Sequence, residues 1–123
     1  MNKTMTPNEL VTAIASELDK RKAKDIKILG VTNLTVIADY FILATGTSST
    51  QVKALADSVE VKLKEQGILP TRVEGYRSSW VLIDYNSVIV HIFYGETREF
   101  YDLERLWKDG EELDNAEFLQ IDN

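Results

Sequence analysis

The chain of 123 residues predicts a single domain of the α/β (α+β) class, a mixed sheet of about five strands with flanking helices. Three observations predict it. Apolar stripes at helical spacing occur near both ends of the chain and once in the middle. Short apolar or alternating runs fill the intervals, at residues 25–29, 40–45, 71–74, 80–84 and 88–93. Capping and turn residues stand at the joints, so the order reads α-β-β-α-β-β-β-α and then a tail. Internal repeats and low-complexity tracts are absent from the sequence.

Each element has its own signals. Thr6-Pro7-Asn8-Glu9 combines a cap, a proline suited to the first helical position and a glutamate placed to reach back. Leu10, Ile14 and Leu18, with Val11 and Ala15 beside them, form one stripe, so the first helix should run to about Arg21. The cations Lys20, Arg21, Lys22, Lys24 and Lys27 follow, where they complement the helix dipole. A contact with RNA is a second reading of that cluster. Residues 25–29 alternate and stop at Gly30, while residues 40–45 are continuously apolar, as in a central strand covered on both faces. Gly46-Thr47-Ser48-Ser49 turns into a second helix with Val52, Leu55, Ala56, Val59 and Leu63 on one side and Gly67 as its stop. Residues 71–74, after Pro70, suit an edge strand. Tyr85-Asn86-Ser87 separates two apolar runs as a three-residue hairpin loop. Thr97 caps a last helix that buries Phe100, Leu103 and Trp107 or Leu106, and Gly110 ends it.

Composition narrows the chemistry. The chain has no cysteine, which excludes disulfides, thiolate metal sites and cysteine nucleophiles. The first residues lack a signal-peptide core, and the run at 36–44 is broken by Asp39 and falls well short of the ~20 residues of a membrane span. A soluble, cytoplasmic protein is expected. The net charge of −6 sits entirely in residues 109–123, which hold Asp109, Glu111, Glu112, Asp114, Glu117 and Asp122 and no base. Residues 1–108 therefore form a neutral body, which gives direct nucleic-acid binding no support. The tail reads first as a solvated terminus and second as a surface that steers towards basic partners.

Three places could carry function. The T-G-T-S-S turn offers backbone N–H groups at a helix start, as phosphate sites do. A magnesium-dependent nucleotidyltransferase would need two carboxylates spaced two apart nearby, whereas Asp84 and Asp39 occur singly. An ordinary capped turn is the stronger reading. His91, the only histidine, shares a strand face with Ile89 and Phe93, and a hydrogen-bonded histidine in the sheet or an interface fits better than a metal ligand. Residues 80–107 hold both tryptophans and three of the five tyrosines, with no constellation able to run a reaction. Trp80, Leu82 and Asp84 share one face of their strand and Val81 and Ile83 the other. If the latter face the core, Trp80 is left for a partner, and Trp, Tyr and Arg dominate binding hot spots. The competing reading packs Trp80 under the last helix.

The motifs A-D-Y-F-I-L-A-T-G-T-S-S at 38–49, V-E-G at 73–75, W-V-L-I-D-Y with V-I-V-H-I-F at 80–93, and R-E-F-Y-D-L-E-R-L-W at 98–107 resemble the ribosomal silencing factors, or Iojap family. The resemblance covers roughly residues 10–107 in one register, and it places a domain at 1–108 and an acidic tail at 109–123, past the family's usual end. It implies a nucleotidyltransferase-like fold without the catalytic carboxylates, no cofactor and no metal. It also implies binding to the large ribosomal subunit through ribosomal protein fourteen, which blocks joining of the small subunit, and a homodimer when off the ribosome. Carried over by position, Trp80, Leu82, Asp84 and Tyr85, then His91 and Tyr101, are the expected docking residues. Arg98, Glu104 and Trp107 match the family pattern too, and are equally suited to fixing the last helix on the sheet.

Overall fold

The computed structural model describes residues 5–32, 38–75, 80–94 and 111–113, the last through their backbone alone. The elements are α1 (Pro7–Lys20), β1 (Lys24–Gly30), β2 (Tyr40–Gly46), α2 (Ser49–Glu65), β3 (Arg72–Glu74), β4 (Trp80–Asp84), β5 (Val88–Tyr94) and β6 (Glu111–Leu113). The expected closing helix, with Arg98, Tyr101, Glu104 and Trp107, lies outside the described residues.

Local chemistry sets the helix ends. Thr6 accepts from the Glu9 N–H at 3.2 Å, and the Glu9 carboxylate accepts from the Thr6 N–H at 3.0 Å, completing the capping box. At the other end Lys22 occupies the left-handed region (φ 67°), where its own N–H and that of Ala23 close onto Asp19 and Leu18 carbonyls. Ser48 caps α2 by accepting from the Gln51 N–H at 3.0 Å. Gly67 ends it with φ 79°. Gly46 answers a different need, since a Cβ there would stand 2.9 Å from Val52 Cγ2 and 3.1 Å from Val52 N. Only glycine lets the end of β2 approach α2 so closely.

The strands form one mixed sheet in the order β3-β4-β5-β2-β1-β6. β2 and β5 run parallel in its centre, and every other pair is antiparallel. β3 is an edge strand, as the sequence predicts, and β2 is buried along almost its whole length. β6 is the addition: Glu111, Glu112 and Leu113 pair with Gly30, Leu29 and Ile28. Paired structure thus continues past residue 108, into the segment whose charge suggests a solvated tail.

Period-two alternation splits the buried side chains into two layers. On one face, α1 and α2 lay Leu10, Ile14, Leu18, Val52, Val59 and Leu63 over Ile28, Ile42, Val81, Ile83, Val90 and Ile92, each 6% exposed or less. On the other, Leu29, Val31, Ala38, Phe41, Leu43, Ile89 and Phe93 form a second cluster, with Trp80 and Leu82 packed against it half-buried. None of the described helices contributes to this second cluster.

Candidate functional site

The hairpin of β4 and β5 assembles the candidate face. Its loop is held by Asp84 Oδ1, which accepts from the Asn86 N–H at 2.8 Å, while Asn86 adopts φ 70° and the Tyr85 N–H donates to the Val88 carbonyl at 2.9 Å. Asp39 and Tyr40 N–H groups both donate to the Ser87 carbonyl, at 2.8 and 3.0 Å, which ties the loop to the start of β2. Register then sets Trp80 opposite Phe93, Leu82 opposite His91 and Asp84 opposite Ile89 on one face of the sheet.

These side chains form an aromatic platform. The Trp80 indole stacks on Phe93 with ring centroids 5.1 Å apart and planes at 28°. Phe41 meets His91 edge-on at 5.2 Å, and His91 lies nearly parallel to Phe93 at 6.0 Å. Trp80 Nε1–H donates to His91 Nδ1 at 3.2 Å, so the neutral imidazole carries its proton on Nε2. That Nε2 is buried with no hydrogen-bond partner. Burial pulls the His91 pKa down to about 4, because a charged ring would lose its hydration here. The partly buried histidine expected from sequence is therefore present, 6% exposed and bonded through one nitrogen.

The expected docking residues divide. Trp80, Leu82 and His91 come together. Asp84 lies on the same face of β4, with its carboxylate engaged by the Asn86 N–H and by Arg72 Nε at 3.4 Å. Tyr85 must be moved off the docking face, since it is 5% exposed and packs in the helix-side cluster with Val81 and Ile83. Strand parity is the reason, for residues 81, 83 and 85 share one side. Its buried hydroxyl has no hydrogen-bond partner, and burial, reinforced by the Glu60 carboxylate, pushes the phenol well above its usual range. Tyr101 lies outside the described residues. Phe41 and Phe93 join the site without being singled out by the sequence pattern. Phe93 is accessible by parity with His91, whereas Phe41 sits in a continuously apolar run that gives no clue to its face.

The T-G-T-S-S turn is committed internally: the Thr47 N–H and hydroxyl both donate to Gln51 Oε1, and Ser48 caps α2. No group of three or more His, Cys, Asp or Glu side chains gathers into a metal-binding set among the described residues. On the opposite layer, a charged groove of about 300 Å³ runs between α1 and α2 past Glu17, Arg21, Asp57 and Lys62. Arg21 and Glu17 pair within it at 2.9 Å. Among the described residues no helix is long and apolar enough to cross a membrane.

Comparison with known proteins gives a consistent result. The family model described as ribosomal silencing factor during starvation matches residues 4–123, and so takes in the acidic tail at 109–123, which the motif resemblance alone leaves outside the family. A ribosomal silencing factor of Chromobacterium violaceum is 43% identical over 104 residues, covering 84% of this chain and 85% of its own. One from Halalkalibacterium halodurans is 39% identical over 106 residues, covering 85% of this chain and 91% of its own. A crystal structure of a Chromobacterium violaceum protein superposes with a TM-score of 0.82 at 42% identity, covering 85% of this chain and 88% of that one.

Proposed function

The chain belongs to the ribosomal silencing factor family, and from that premise we propose that it represses translation by occupying the large ribosomal subunit. Membership supports a ribosome-associated translational regulator. The finer reading is that the Trp80–Leu82 face docks on ribosomal protein fourteen and sterically prevents the small subunit from joining. No turnover is required, because whichever ligand binds first excludes the other by mass action. The protein acts in the cytoplasm, forms a homodimer when off the ribosome and makes little direct contact with nucleic acid.

One observation carries this reading. Trp80 and Leu82 stand half-buried over a fully buried apolar and aromatic layer, which gives a partner a rigid, largely desolvated surface. Such centres supply most of the energy of an interface, and the surrounding contacts add complementarity. The enzymatic alternative, a small magnesium-dependent nucleotidyltransferase using Asp84, is disfavoured by the engagement of that carboxylate with Arg72 and the Asn86 N–H. Calorimetry with nucleotide and magnesium should give no binding heat.

Cosedimentation tests the docking reading. The wild-type protein should travel with free large subunits, and Trp80→Ala should weaken that association by about 2 kcal/mol or more. Equal cosedimentation of a folded Trp80→Ala variant would remove this face from the account.

A further inference from the structure

A histidine in the middle of an apolar layer needs an explanation beyond packing. His91 is 6% exposed, and the rings around it are Phe41, Phe93 and Trp80. Its Nε2 proton is buried without an acceptor, a cost that a leucine or phenylalanine in the same place would not carry. The compensating feature is the other nitrogen. Nδ1 receives the Trp80 indole proton at 3.2 Å, while Phe93 supports the indole from below at 5.1 Å. A stacking contact by itself tolerates sliding and turning about the two side-chain torsions of an indole. A hydrogen bond at its rim removes that freedom. Ordering the side chain beforehand spares a partner the entropy of ordering it on binding.

We propose that His91 is the positioning residue for Trp80: its Nδ1 holds the indole in the orientation that a partner meets on the β4–β5 face, and His91 itself makes no contact with that partner. The inference rests on the docking reading above and gives that site its internal support.

Side chains of matched shape provide the test. Asn and Leu branch alike and are close in size, and the Asn Oδ1 stands near the position of histidine Nδ1, whereas Gln reaches towards the Nε2 position. In large-subunit binding, His91→Leu should lose affinity about tenfold, the loss of one buried hydrogen bond. His91→Asn should recover most of it and His91→Gln should not. The Trp80 indole proton, assigned by NMR through its absence from Trp80→Phe, should shift in the Leu and Gln variants and return in the Asn variant. Wild-type affinity in His91→Leu, or equal losses in the Leu and Asn variants, would overturn the proposal. Trp80→Phe separates the two failures. If it binds like the wild type, the docking reading falls and the positioning role with it; if it binds weakly while His91→Leu binds normally, the positioning role alone falls. Should the His91 variants not fold, the wild-type indole proton decides, since a bonded proton is protected from solvent exchange and rapid exchange contradicts the proposal.

Discussion

The two faces of the sheet are built from the same strands and to opposite specifications. Under α1 and α2, Val81, Ile83, Val88, Val90 and Ile92 are fully buried, entirely aliphatic and in contact with two amphipathic helices. One residue along in each case, Trp80, Leu82, His91 and Phe93 form an aromatic layer whose outer members are half-buried and whose histidine carries an unpaired proton. Hydrophobic burial pays in the first layer for a stable fold, and the second gives up some of that stability for orientation. The difference teaches where to look for a docking face: on the side of a strand that packs less completely and with more specific geometry.

Substitutions at adjacent positions of β4 should break this comparison most sharply. Ile83→Ala removes a fully buried side chain beneath the helices and should cost about 2–5 kcal/mol in urea unfolding. Its effect on large-subunit affinity, measured where the variant is still folded, should be small. Equal losses of stability and affinity would mean that the two faces are not separable.

Acid titration gives the next largest effect. The His91 imidazole takes up a proton near pH 6.5 in the unfolded chain but only near 4 in the folded one. Between those values the unfolded chain binds the additional proton, so this group withdraws stability as pH falls from 6.5 towards 4. The loss should approach about 3 kcal/mol at the lower end and vanish above pH 7. In His91→Asn the same acid titration should be flatter, and an unchanged slope would show that the buried imidazole is not the titrating group.

Leu82→Ala, one position from Ile83, should reverse the first pattern. Leu82 is half-buried at the margin of the aromatic layer, so its truncation should cost about 1 kcal/mol or less of stability and about 1–2 kcal/mol of binding. Smallest of all, Lys22→Gly relieves a left-handed backbone at the end of α1 and should raise stability by roughly 1 kcal/mol with no change in binding. A change in subunit affinity there would couple the helix layer to the docking face.

Much of this was legible in the sequence for physical reasons. The capping box at Thr6, the stripe of α2, its stop at Gly67 and the loop at Asn86 are local signals, and each stands where the pattern puts it. The parallel pairing of β2 with β5 is not local, and nothing in two apolar runs more than forty residues apart records their direction. β6 is not legible because Glu111-Glu112-Leu113 carries the charge of a solvated tail, while backbone pairing with β1 needs no apolar side chains. At Tyr85 two signals conflict: its parity with Val81 and Ile83 assigns it to the core, where it lies, while its aromatic identity suggests a hot spot. The contact between Trp80 and His91 depends on cross-strand register, which the hairpin loop sets and composition does not.

The proposed action is steric: an aromatic face on this protein would hold the large subunit and thereby keep the small subunit away. Mixing purified subunits with saturating protein and separating the products by density-gradient sedimentation tests it most directly. The account predicts a lower yield of joined ribosomes with the wild type and a restored yield with Trp80→Ala. An undiminished yield at saturating wild-type protein would contradict it.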